Sequence, residues 1–147
     1  MITELNEKKA PLELFEILSN IEMAEKKEKR LESIRHYQLN TGFTDYLRCL
    51  LDDRITFNLP EGRPPFTPLS EESFPKSWMK QHSNIGYFIN GGTGAHITSI
   101  RREKMWIDLL ETVHPYDAPL IADAADKRGP EWLTKELVEE AIPDLIS

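Results

Sequence analysis

A single cysteine, Cys49, is all that this 147-residue chain contains. One thiol excludes an internal disulfide and any zinc site built on several cysteines, and it suits a reducing compartment such as the cytoplasm. No apolar run approaches the ~20 residues of a bilayer-spanning helix, so no membrane contact is expected. The opening MITELNEKKAPLELF lacks an apolar stretch behind a basic one, so a secretory signal is not expected either. The four histidines, His36, His82, His96 and His114, form no HxxxH or HExxH pair, which leaves no motif for a metal. Asp52 and Asp53 are adjacent, so their side chains diverge, and they suit a helix C-terminal turn better than acid–base catalysis. Cys49 beside an apolar stripe reads as a small buried hydrophobe. GGTG (Gly91–Gly94) lacks the Lys and Ser/Thr that follow a phosphate loop, and the GxGxxG spacing of a dinucleotide loop. It reads as a turn between helices, with the N–H groups of the next helix, beside Arg101 and Arg102, free to meet one phosphate. No catalytic residue and no cofactor emerge, and the chain reads as non-enzymatic.

Basic residues are also in deficit: 18 Lys and Arg against 25 Asp and Glu, a net charge of −7. That balance argues against broad adhesion to nucleic acid. Its distribution is uneven. Residues 1–75 carry −4, residues 76–104 carry +4 and residues 105–147 carry −7. The basic middle, Lys76, Lys80, Arg101, Arg102 and Lys104, either pairs with the acidic flanks or forms a surface for anions.

What is present is helical spacing. Pro11 suits a first helical turn, with Leu12, Phe15, Leu18 and Ile21 as one stripe. Ala24–Gln38 predicts a second helix with Leu31, Ile34 and Tyr37 inward and a solvated charged face. Phe43, Tyr46, Leu47, Leu50 and Leu51 follow i, i+3, i+4, i+7 and i+8, the clearest helix, with Thr41 or Thr44 as cap. Ser70–Gln81 allows a short helix around Trp78. A fifth, capped by Thr98 or Ser99, places Ile100, Trp106, Leu109, Leu110 and Val113 on one face. Pro115 or Pro119 opens a sixth with Leu120, Ile121 and Ala124, stopped at Gly129–Pro130. Thr134 caps a last one with Leu137, Val138 and Ala141 inward. The expectation is an all-α fold, one domain over 1–147 with about six to seven helices.

One stretch breaks that pattern. ITFNLPEGRPPFTP (Ile55–Pro68) has four prolines and an alternation of Ile55, Phe57 and Leu59 with polar residues. A flexible linker would be rich in Gly, Ser and charge. Large apolar groups in an extended, proline-stiffened chain predict an ordered strap, with Ile55, Phe57 and Phe66 largely buried against the third and fifth helices. Trp78, Met79, Tyr87 and Phe88 near the glycine loop either leave an apolar patch for a partner or complete the core.

Several pieces, in this order, resemble a small uncharacterised protein family of T-even-type tailed bacteriophages: EKRLESI (Glu28–Ile34), ITFNLPEGRPPFTP, YFINGG (Tyr87–Gly92), RREKMWIDLLETVHPYDAPLI (Arg101–Ile121) and LTKELVEEAIPDLIS. LPEGRPPFTP and HPYDA are the most specific. The resemblance implies a phage protein in the cytoplasm of an infected bacterium and assigns no activity. In addition, DDRITF (Asp52–Phe57) and ADKRGPEWLTKELVEEAIPDLI (Ala125–Ile146) are similar to parts of the N-terminal helical DNA-binding domain of ATP-dependent DNA ligases. That similarity implies phosphate contacts by Lys127 and Arg128. The chain has no K-x-D-G nucleotidyl-transfer motif, so it is no ligase, and its tail is acidic. Two functional expectations follow. One is a helical module touching DNA or RNA backbone through Arg101, Lys104, Arg102, Lys76, Lys80, Lys127 and Arg128. The other is an acidic adaptor that binds a phage or host protein.

Overall fold

α1 (Leu14–Glu22) shows why these residues fold as they do: Leu14, Ile17, Leu18 and Ile21 recur at helical spacing and all are buried. This is the computed structural model of the chain, and it describes residues 12–146. Pro11 lies outside the described residues. Leu18 and Ile21 are buried as expected, but in the first turns Leu14 and Ile17 take the inward places while Leu12 is exposed and Phe15 half-buried.

Charge dominates α2 (Lys27–His36), which buries only Leu31 and Ile34. α3 (Thr41–Leu51) buries Phe43, Tyr46, Leu47, Cys49 and Leu50. Its cap is Asn40, not a threonine: Asn40 Oδ1 accepts from Phe43 N at 2.9 Å, satisfying a donor that helix geometry leaves unpaired. α4 (Trp78–Gln81) continues into a 3-10 segment, His82–Tyr87. α5 (Ser99–Thr112) is capped by Thr98, α6 runs Asp117–Ala125, and α7 (Lys135–Ala141) is capped by Thr134. Pro115 precedes α6 and Pro119 sits in its first turn. Ile100, expected inward on α5, is 80% exposed, while Arg102 takes an inward place at 6%.

Every described helix is an α-helix or short 3-10 turn, and the one β-pairing among the described residues is an isolated bridge between Phe57 and Ile89. The fold is all-α. α2 packs on α7, α3 on α6, α5 on α6, and α1 against α2, α3 and α6 around one hydrophobic core. No described helix is long and apolar enough to cross a membrane.

Distant charges close several helix ends. Arg35 donates to Ala141 O at 3.0 Å and Glu140 O at 3.2 Å, and Arg30 donates to Glu22 O at 2.9 Å. The Lys127 ammonium donates to Cys49 O at 2.7 Å and Asp52 O at 2.9 Å. At the opposite polarity, Asp117 accepts from Leu14 N at 3.3 Å and Phe15 N at 2.8 Å, at the start of α1. Cations at C-terminal carbonyls and a carboxylate at an N-terminus are the placements the helix dipole favours.

Ile55–Pro68 crosses the surface and is pinned along its length. Asn58 N donates to Phe88 O at 2.8 Å and Asn90 N to Thr56 O at 2.9 Å. Gly62, whose φ of 91° is costly for a residue with a Cβ, donates to Asp126 Oδ2 at 3.1 Å. The Arg63 guanidinium grips Asp123 with two bonds of 2.7 and 2.6 Å, and Thr67 N meets Glu111 Oε2 at 2.7 Å. Phe57 lies 5.7 Å from Trp106 ring to ring. The alternation nevertheless overstates burial: Ile55, Phe57 and Phe66 are half-buried. One side of the strap rests on the domain and the other meets water. Phe57→Ala is therefore expected to cost about 2 kcal/mol, below the ~3–5 kcal/mol of a fully buried aromatic, read as a shift of the urea midpoint at unchanged slope.

Candidate functional site

Helix geometry sorts the basic residues first. At 100° per residue, Arg101, Lys104, Met105, Asp108 and Thr112 share one face of α5, about a third of a turn wide. Arg102 falls on the neighbouring, buried face. Its guanidinium donates to Ile97 O at 2.6 Å and Gly94 O at 3.1 Å, tying the glycine loop to α5. That arrangement removes Arg102 from any anion-facing set. The loop offers these carbonyls to Arg102 and is packed tightly, since a Cβ on Gly94 would strike the Tyr87 carbonyl. It is a structural turn.

Lys127 and Arg128 are both engaged by partners within the fold. The Lys127 ammonium caps α3 as described, and burial lowers its pKa from the ordinary lysine value. Arg128 pairs with Asp126 at 3.2 Å. Trp78 and Phe88 are buried in the domain, with Trp78 Nε1 donating to Gly42 O at 2.9 Å, so the apolar patch at the glycine loop does not form.

Of the remaining four cations one, Lys76, lines a groove, and the other three are next to its lining residues in sequence or on the same helix face. A groove of about 340 Å³ lies between α5 and the α4–3-10 segment. Phe88, Leu109 and Met105 are apolar in its lining, and Lys76, Gln81, Asn84, Tyr87, Asp108 and Thr112 complete it. Lys76 is held at its end by its own N–H, which bonds Thr112 O at 2.8 Å. Lys80 is one residue before groove-lining Gln81, and Arg101 and Lys104 continue the α5 rim beyond Met105. All four are exposed, and none forms an ion pair with another described residue. Asn84, Gln81 and Asp108 did not emerge from the sequence, and Tyr87 emerged only as part of an apolar patch. Asp108, seven residues after Arg101 and four after Lys104, was legible as sharing their face; Gln81 ends the four-residue α4, and Asn84 and Tyr87 depend on a 3-10 turn with no periodic signature.

A second polar constellation joins α3 to α4. Thr41 Oγ1 lies 3.2 Å from His82 Nε2, and His82 Nδ1 lies 2.6 Å from Asp45 Oδ2. Hydroxyl, imidazole and carboxylate thus stand in the order of an acyl-transfer triad. Asp45 is shared with Arg48 at 3.1 Å, and Thr41 stands exposed on the first turn of α3 rather than inside a cleft. The arrangement is better explained as the tie between two helices than as a nucleophile site. Cys49 is inert for a physical reason: burial pushes its thiol up to about 12, leaving almost no thiolate near neutrality. Among the described residues, no three His, Cys, Asp or Glu side chains are grouped to hold a metal ion.

A model of the family of unknown function DUF6433 matches residues 17–129. The chain belongs to DUF6433. The matched region contains the strap, the glycine loop and the whole groove between α5 and the 3-10 turn, whereas α7 lies beyond it. The DUF6433 description assigns no activity. No curated protein and no solved structure matches the chain.

Proposed function

We propose that this protein is a non-enzymatic helical module that contacts nucleic-acid backbone, working as a phage accessory protein in DNA metabolism or transcription in the cytoplasm of an infected bacterium. One observation supports the reading: Lys76 lines a groove, Lys80 is next in sequence to groove-lining Gln81, Arg101 and Lys104 share the α5 face of groove-lining Met105 and Asp108, and none of the four has an ion pair among the described residues, in a chain of net charge −7. Cations gathered at one place in an acidic protein focus attraction there and leave the rest of the surface repelling polyanions. The phage setting rests on LPEGRPPFTP and HPYDA and their neighbouring elements.

Reversing Arg101 and Lys104 to glutamate tests this. Both are exposed, so the fold is expected to keep its stability within about 1 kcal/mol. Affinity for nucleic acid of any sequence is expected to fall alike, and the salt dependence to become shallower by a slope of about 1.5–2, one unit or slightly less per lost phosphate contact. Absence of wild-type retention on either single-stranded or duplex DNA at low salt overturns the reading.

In that event the acidic adaptor reading takes its place, and it has its own observation. Phe74 is 97% exposed and Tyr116 67%. Tyr116 stacks edge-on to Phe15 at 5.1 Å, and hollows of about 320 and 290 Å³ adjoin it. Exposed aromatics beside hollows suit a protein partner. Affinity purification from infected cells followed by mass spectrometry identifies it.

A further inference from the structure

The groove holds a feature that phosphate binding does not explain. Asp108, a carboxylate, lines it together with Lys76, and along α5 it stands between Arg101 and Lys104 on one side and Thr112, which holds Lys76, on the other. A phosphate placed there would be repelled. The same lining holds the two amides Gln81 and Asn84, 3.3 Å apart, and Tyr87, which is 36% exposed. An exposed aromatic face, two amides and one carboxylate are the groups that stack on and hydrogen-bond a nucleobase edge. Along α5 the distance from Arg101 to Thr112, where Lys76 is attached, is roughly 16 Å. That span accommodates a base with the phosphates on either side of it.

Resting on the backbone-contact reading above, we propose that the groove takes one unpaired nucleotide of a single strand, DNA or RNA. Its base stacks on Tyr87 with its edge toward Asp108, and the flanking phosphates lie on the surrounding lysines and arginine. A base in a duplex is already paired and stacked and cannot enter, so single strands are the ligand. Asp108 only accepts, so it favours a base with an exocyclic amine, as a carboxylate does with the cytosine N4 amine. Thymine and uracil, which present carbonyls flanking their one N–H, are disfavoured.

The test is fluorescence anisotropy with labelled 12-mers, oligo(dC) and oligo(dT), their RNA counterparts and a duplex, at two salt concentrations. Oligo(dC) is expected to bind about tenfold or more tightly than oligo(dT), and single strands more tightly than duplex. The RNA arms show whether the ribose matters. Asp108→Asn, at an exposed position, is expected to bring the two pyrimidine affinities within about twofold. Tyr87→Leu is expected to weaken all single strands about tenfold with the salt slope unchanged; circular dichroism melts confirm that each variant is folded. Equal binding of oligo(dC) and oligo(dT), or duplex binding as tight as single strands, overturns the groove proposal. If Arg101→Glu with Lys104→Glu still weakens binding in that case, the backbone reading survives it. No binding to any strand removes both.

Discussion

Trp78→Ala is expected to remove about 3–5 kcal/mol of stability, the cost of emptying a fully buried aromatic site. That is a large fraction of the ~5–15 kcal/mol a domain possesses, and in a chain of this size it lowers the melting temperature by about 10 °C or more. Trp78 is held for two separable reasons. Its ring is 1% exposed in the core, and its Nε1 donates to Gly42 O within α3. Gly42 belongs to the same contact, since a Cβ there would strike the Met79 sulfur of α4. Trp78→Phe keeps most of the packing and loses the hydrogen bond, so it is expected to cost about 1–2 kcal/mol. Urea unfolding of the two variants separates packing from hydrogen bonding. Equal losses for both would show that the indole N–H, not the ring volume, fastens α4 to α3.

The second large effect is a stability that depends on pH in two opposite directions. Asp117 is fully buried, and burial raises its carboxyl from 3.8 to about 7, helped by the charges of Glu13 and Glu16 and opposed by the N–H groups of Phe15 and Leu14. The neighbouring Glu13 has one oxygen on the Ser77 hydroxyl and the other buried without a partner among the described residues. An acid with a raised folded pKa binds more protons folded than unfolded. Its contribution is greatest below pH 4, declines as the pH rises to about 7 and is level above, a change of at most about 4 kcal/mol. Asp52 behaves oppositely. Its hydrogen bonds from Arg54, above all, lower it to about 2, so its contribution is present above pH 4 and is lost as the pH falls toward 2. Arg54 is largely exposed, which keeps that part near 1 kcal/mol. The expected profile has its maximum near pH 3–4. Asp117→Asn keeps an acceptor for Phe15 N and has no charge to bury, so it is expected to abolish the decline between pH 4 and 7. A wild-type midpoint in urea that is unchanged over this range would disprove the assignment.

Residues where the sequence was legible share one property: their environment is set by near neighbours. The α3 spacing of Phe43, Tyr46, Leu47 and Leu50, the Thr98 and Thr134 caps and the buried Cys49 all follow from helical periodicity and local hydrogen bonding. Misplaced residues were those whose partners lie far along the chain or on a face with two rival fillings. Leu12 and Leu14 are both leucines two apart, and periodicity alone does not choose the frame. Ile100 and Arg102 reverse hydropathy order because the Gly94 and Ile97 carbonyls need a donor more than the core needs Ile100.

The sequence by itself determined an all-α chain, the helix spacing, the acidic balance and the basic segment between acidic ends. Helical periodicity and net charge are sums over neighbours, so one dimension suffices to read them. Tertiary structure alone decided which cations are free. Lys127 closes α3 from 75 or more residues away, Arg102 is turned inward, and Lys76 reaches the groove through a backbone bond to the end of α5. Whether a charge is committed or available depends on the carbonyls and carboxylates that folding brings to it. For this protein that selection leaves a lysine, a tyrosine and an aspartate lining one groove, with Lys80, Arg101 and Lys104 unpaired among the described residues on the adjoining elements.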